Sequence, residues 1–202
     1  LIIPGGVLFD LDGVIFQGGR QIPGAEDVLH KIQIEKIPYR FITNTTRMTK
    51  NNLVNMLIKM GFSVTPEEIF AAPHAAVEYC KLKGYKNISL IVPDEEMKED
   101  FSAFQLVEEN PEAIVVGDMS KLFTFELLNR LFKNIIYGAE LIAMHKNRYW
   151  KSVDGLTLDL GAFISALEYA TGKSAVIVGK PDPNLFKYAV YGWGLSENSI
   201  YV

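Results

Sequence analysis

A single cysteine in 202 residues leaves no partner for an intrachain disulfide, so Cys80 argues for a reducing compartment and a cytoplasmic location is expected. Its helical spacing with Ala76 and Val77 in "AAVEYCKLKG" makes it a buried small hydrophobe rather than a catalytic thiol. The sequence has no apolar stretch long enough to cross a bilayer, and no charged leader followed by an apolar core and a small-residue cleavage site, so no membrane partner is expected. Basic residues are not in excess. With 20 Lys and Arg against 24 Asp and Glu the formal net charge is -4, which gives no general attraction to nucleic acid, and any basic site must be local. Short repeats, low-complexity segments and Pro-Gly-Ser linkers are missing too, so a second domain has to be inserted into the first through short connections.

What is present is enough apolar material for one generous domain or two small ones, with apolar runs alternating with helical patterns. Val7 to Phe9, Tyr39 to Thr43, Ile88 to Val92, Ala113 to Val116, Glu140 to Met144 and Ala175 to Val178 read as strands. Helices are expected over Ala25 to Glu35, Thr49 to Met60, Glu95 to Phe101, Phe125 to Phe132 and Gly161 to Thr171, and Thr65-Pro66-Glu67-Glu68 is a good start for another. This rhythm predicts an α/β fold with parallel sheets covered by helices.

The chemistry starts at "VLFDLDGVIF". Alternate residues of a strand share a face, so Asp10 and Asp12 project together if the strand continues, and Gly13 lets the chain turn sharply. Two carboxylates that close are tolerable with a cation between them or a proton on one. From the carboxyl end of a parallel strand Asp10 could attack phosphorus, while Asp12 protonates the leaving oxygen and then activates water. A hard cation such as magnesium would take oxygens from this pair and from phosphate. Alone, "DLDG" also reads as an ordinary turn.

Two further strand ends add to it. "FITNTT" offers Thr43 and Asn44, with their backbone amides, to phosphoryl oxygens at the head of the next helix, or simply caps that helix. "VIVGKPDP" delivers Lys180 to a loop, either as a surface lysine or to neutralise phosphate and the nucleophile's charge. "DLDGV", "TNTT" and "GKP", in that order, resemble the first three motifs of the haloacid dehalogenase-like superfamily, and the likeness covers essentially the whole chain.

The resemblance implies a Rossmann-like parallel-sheet core with an inserted α/β cap domain. It also implies an aspartyl-phosphate intermediate and Mg2+. It makes Asp10 the nucleophile, Asp12 the general acid/base, Thr43 the phosphate-binding hydroxyl and Lys180 the charge-stabilising lysine, with Gly13 and Asn44 at the phosphate. The metal would take the Asp10 carboxylate and the Asp12 backbone carbonyl, with a further carboxylate expected beyond Val202, where "SENSIYV" reaches the start of an apolar strand. Superfamily dehalogenases lack an acid at position 12 and transport ATPases carry threonine there, so Asp12 favours phosphomonoester hydrolysis. Phosphomutases keep a cap between the first two motifs, where residues 14 to 42 hold only a hairpin around Gly18-Gly19 and one helix.

More than a hundred residues separate Asn44 from Lys180, which is where the NagD-like and p-nitrophenyl phosphatase branch carries a large α/β cap. The expected division is a core of residues 1–71 and 176–202 and a cap of residues 72–175. In the resembling family caps of this type often dimerise, so a homodimer through the cap is among the expected partners, beside a small phosphorylated substrate. Asp118 in "IVVGDM" imitates a metal motif but precedes the lysine, and reads as a cap strand end; Asp182 reads as a helix start. His145 and Arg148 either form a polar cap edge or close over the leaving group and read its charge or ring. The expected function is a magnesium-dependent phosphatase of small metabolites; the alternative is a non-catalytic phosphate- or partner-binding protein of the same fold.

Overall fold

The computed structural model of the chain describes residues 4–152 and 155–202. It opens with β1 (Gly6–Asp10), a ribbon of β2 (Phe16–Gln17) and β3 (Arg20–Gln21), α1 (Ala25–Ile34), β4 (Tyr39–Thr43), α2 (Lys50–Lys59), β5 (Ile69–Ala71) and α3 (Ala72–Lys83). It continues through β6 (Asn87–Ile91), β7 (Gln105–Leu106), β8 (Ala113–Val116), α4 (Phe125–Ile136) and β9 (Glu140–Ala143). A second ribbon, β10 (Tyr149–Ser152) with β11 (Gly155–Leu158), then leads to α5 (Leu160–Thr171), β12 (Val176–Ile177), α6 (Pro183–Ala189) and β13 (Ile200–Tyr201).

Two parallel sheets organise these elements, one in the order β13-β1-β4-β5 and the other in the order β12-β9-β8-β6-β7. The run Ala113-Ile114-Val115-Val116 has no polar side chain because it lies mid-sheet and is buried throughout. Leu8 and Ile42 of the first sheet and Val115 and Ile142 of the second belong to one apolar cluster. α3 and α6 complete it, with Ala72, Ala76, Cys80, Leu185 and Ala189. The small residues of α3 let helix and sheets approach closely, and burying each larger aliphatic side chain there contributes about 1.5–3 kcal/mol. Cys80 is fully buried, and burial pushes its thiol pKa up to about 12, so it packs as the sequence suggested.

The helices that position the site have local causes. Thr49 caps α2 by accepting the Asn52 N–H at 3.1 Å, and Leu53, Val54 and Leu57 turn one face of that helix inward. Asp182 caps α6 by accepting the Asn184 N–H at 2.9 Å, just before Pro183, so its expected role as a helix start is what the structure has. Asp159 and Gly172, the latter at φ 67°, bound α5.

One expectation is corrected. Thr65 to Glu68 does not open a long helix: Pro66–Glu68 forms one 3-10 turn, closed where Glu68 accepts the Thr65 N–H at 2.8 Å. Ile69 and Phe70 then pair with Phe41 and Ile42, since burial in the sheet satisfies both their apolar side chains and their backbone. At the expected boundary near residue 176, Val176 and Ile177 pair with Ile142 and Ala143, so the second sheet extends through Ile177.

Candidate active site

Asp10 ends β1 and Thr43 ends β4, neighbouring parallel strands whose carboxyl ends lie side by side. Lys180 arrives from the other sheet, three residues past β12. These three side chains line one cleft of about 800 Å³ together with Asp12 and Asn44, a size suited to a small metabolite. The position is the one where open parallel sheets bind ligands, here faced from the far side by Asp118 and His145, which follow strands of the second sheet, and by Trp150 and Lys151 of β10.

Lys180 Nζ lies 2.6 Å from Asp10 Oδ1, and the same oxygen accepts the Leu11 N–H at 2.8 Å. Among the described residues both partners of that carboxylate fall on Oδ1, which leaves Oδ2 as the oxygen to attack an electrophile. The Lys180 side chain is one-fifth exposed and Asp10 less than half, so their attraction is only partly screened. Thr43 is buried, and its Oγ1 accepts the Thr45 N–H at 3.2 Å while retaining a hydroxyl proton to donate.

Asn44 holds Lys180 rather than pointing its amide at a ligand. Its Nδ2 donates to the Lys180 carbonyl at 2.9 Å, and its Oδ1 accepts the Lys180 N–H at 2.7 Å. The neighbouring Gly179 is required by space: a Cβ there would stand 2.1 Å from the Met144 carbonyl oxygen and 2.7 Å from Asn44 Oδ1. Gly13 likewise serves the backbone. It sits at φ 81° and its N–H donates to the Phe16 carbonyl at 2.7 Å, so that amide is committed to the turn and not to phosphate.

The cap-side wall brings His145 to the cleft but not Arg148. His145 is buried, 3.8 Å from Asp159 Oδ1, and its Nδ1 receives the Asn147 N–H at 3.5 Å. Burial lowers its pKa against the raising pull of Asp159 and Asp118, with Arg47 adding to the lowering, so the imidazole is neutral at pH 7. Arg148 is exposed and absent from the cleft lining among the described residues; its carbonyl accepts the Asp159 N–H at 3.2 Å, tying the strand to the head of α5. Lys151 lines this side of the cleft beside Trp150, and Arg47 reaches it from the segment after β4. Arg47 pairs with Asp118 and lies over the Trp150 ring, 5.7 Å from its centroid. Asp118 does follow a strand of the second sheet, yet it faces the cleft, a placement that the order of motifs along the chain concealed.

A family model described as haloacid dehalogenase-like hydrolase matches residues 7–106. The haloacid dehalogenase-like hydrolase domain-containing protein 2 of Bos taurus is 37% identical over 188 residues, covering 93% of this chain and 71% of that protein. The phospholysine phosphohistidine inorganic pyrophosphate phosphatase of Xenopus laevis is 35% identical over 196 residues, again 93% of this chain and 71% of that one. Among solved structures, p-nitrophenyl phosphatase from Archaeoglobus fulgidus superposes with a TM-score of 0.89 at 25% identity, covering 98% of this chain and 77% of that one.

Proposed function

This chain belongs to the haloacid dehalogenase-like hydrolases and is a phosphatase of that family, and from that premise we propose that it hydrolyses small phosphorylated metabolites through an aspartyl-phosphate intermediate on Asp10. The observation that carries the reading is the Lys180 ammonium 2.6 Å from Asp10, at two converging strand ends that share a cleft with Thr43. The α/β core is the first sheet with its helices, and the cap is the second sheet with its own, a division drawn after Ile177.

In this reading Asp10 Oδ2 attacks phosphorus, and the ester oxygen leaves with a proton from Asp12. Asp12 then takes a proton from water, whose oxygen attacks the acyl phosphate and regenerates Asp10. Thr43 donates its hydroxyl to a phosphoryl oxygen, and Lys180 offsets negative charge on Asp10 and on the transferred group. The cleft wall from the second sheet excludes bulk water from the acyl phosphate.

A hard divalent cation fits the donor set. The Asp10 carboxylate and the Asp12 backbone carbonyl are both oxygens, and among the described residues no group of three carboxylates, imidazoles or thiols gathers to form a softer or all-protein cage. Magnesium suits such a site because it retains waters and accepts phosphate oxygens. When bound it would neutralise phosphoryl charge and orient the ester for in-line attack.

Incubation with p-nitrophenyl phosphate and magnesium should release nitrophenol, and a chelator should stop the release until magnesium is restored. Acid-quenched protein should carry one phosphoryl group on the peptide containing Asp10, and Asp10→Asn should carry none. A labelled peptide elsewhere, or turnover by Asp10→Asn at the wild-type rate, overturns the nucleophile assignment. Silence across a panel of phosphate esters with phosphate still bound points to the non-catalytic binding protein.

A further inference from the structure

We propose that Arg47 determines specificity in this cleft, selecting phosphate esters whose leaving group carries a second anionic group. The proposal rests on the phosphatase reading and adds to it what lies beyond the ester oxygen. Arg47 follows the Thr43–Thr46 segment directly and lines the same cleft as Asp10 and Lys180. Its guanidinium is oriented by two groups from different elements, Asp118 after β8 of the second sheet and the Trp150 ring on β10 of the separate ribbon.

These contacts fix the plane of the guanidinium without consuming it. The Arg47 side chain is 43% exposed while that of Asp118 is 8% exposed. Only Nη2 is engaged by the carboxylate, and a guanidinium carries five donors in a rigid fork. Asp118 is held in place: its N–H donates to Thr46 Oγ1 at 3.0 Å, and its Oδ1 accepts the Ser120 N–H at 2.8 Å. Gly117, next to it, packs closely against the same threonine: a Cβ added there would lie 3.1 Å from Thr46 Cβ. An anchored carboxylate therefore presents Arg47 to the cleft instead of following it.

The remaining charges agree. Asp159, the other cap-side carboxylate of the cleft, is buried and accepts the Leu160 N–H at 2.7 Å, with His145 beside it. Its charge is met by the head of α5. Lys151 lines the same wall and makes no ion pair among the described residues. The carboxylates are thus answered, while the open edge of Arg47 and the Lys151 ammonium are not. A neutral leaving group leaves those donors to water, whereas an anionic one gains charge-assisted hydrogen bonds from them.

The test compares kcat/KM for carboxyethyl phosphate and propyl phosphate, esters of equal length that differ in the carboxylate. Wild type should prefer the carboxylated ester by about tenfold or more, the worth of about 1.4 kcal/mol, and Arg47→Met should erase most of that ratio through KM. Lys151→Met, on an exposed strand, should reduce the ratio in the same direction and serves if Arg47→Met does not fold. A parallel arm needs no turnover: calorimetric titration of Asp10→Asn with phosphonopropionate and propylphosphonate, with and without Arg47→Met. Ethylene bisphosphonate in the same titration distinguishes a second phosphoryl-type anion from a carboxylate; whichever binds tighter, its advantage over propylphosphonate should vanish with Arg47→Met. Equal treatment of charged and neutral ligands by wild type, or a preference that survives both substitutions, overturns the proposal while leaving the phosphatase reading standing. An anion preference lost in Arg47→Met with no ester hydrolysed supports the recognition and removes the phosphatase reading instead.

Discussion

Asn44→Ala should cost both stability and rate, because one side chain joins two distant segments. It removes the bond from Nδ2 to the Lys180 carbonyl, 2.9 Å, and the bond from the Lys180 N–H to Oδ1, 2.7 Å. At about 0.5–1.5 kcal/mol net for each bond, the loss is about 1–3 kcal/mol, toward the lower end where water reaches the freed groups. With a urea m-value near 2 kcal/mol/M the midpoint should fall by about 0.5–1.5 M at unchanged m. The Lys180 ammonium would lose its fixed approach to Asp10, and a misplacement of that kind costs about tenfold to a hundredfold in kcat. Asn44→Asp keeps an acceptor for the Lys180 N–H but no donor for its carbonyl, and should fall between wild type and alanine. Urea titration followed by circular dichroism and p-nitrophenyl phosphate turnover on the same preparations reads both effects. A wild-type midpoint and rate in Asn44→Ala would refute the idea that this clamp positions Lys180.

Asp12→Asn should slow alkyl phosphates more than nitrophenyl phosphate, since a good leaving group needs little protonation; equal losses would remove Asp12 as the acid. Lys180→Met should lower kcat/KM by about a hundredfold or more while raising KM for phosphate esters, and unchanged steady-state kinetics would return Lys180 to the surface-lysine reading. His74 should make the fold acid-sensitive. Burial holds its pKa down at about 3, helped by the Lys50 charge, and Asp100 lies 3.8 Å away. The unfolded imidazole takes a proton near about pH 6.5 and the folded one does not, so its contribution is complete above that pH and declines as pH falls toward 3. Urea midpoints measured from pH 7 to pH 4 should fall less steeply in His74→Gln; parallel profiles would show that another group sets the acid limb.

The strand ends were legible in the sequence because each is a local pattern, an apolar run that stops at a functional side chain. Asp10, Thr43 and Lys180 were therefore nameable, and the structure brings them into one cleft. The partners of Asn44 were not, since they are main-chain atoms of a residue 136 positions away, and main-chain atoms leave no trace in residue identity. Arg47 was passed over for the same reason: its meaning comes from Asp118, 71 positions on, and from Trp150 across the cleft. Arg148 was named for its proximity to His145 along the chain, but only the placement of a strand decides which side chains reach a cavity, and there Lys151 lines it instead. The turn at Pro66–Glu68 misled because its capping box is the same whether one turn or three follow.

The apolar layer that runs without a break from Leu8 and Ile42, through α3 and α6, to Val115 and Ile142 has a bearing on motion. A hinge that parted the two sheets would wet some of this layer, at about 0.8 kcal/mol for every methylene group exposed. The layer therefore resists motions that would separate the sheets, and the cleft between their strand ends is also lined by Phe16 of the β2–β3 ribbon and by Trp150 and Lys151 of β10.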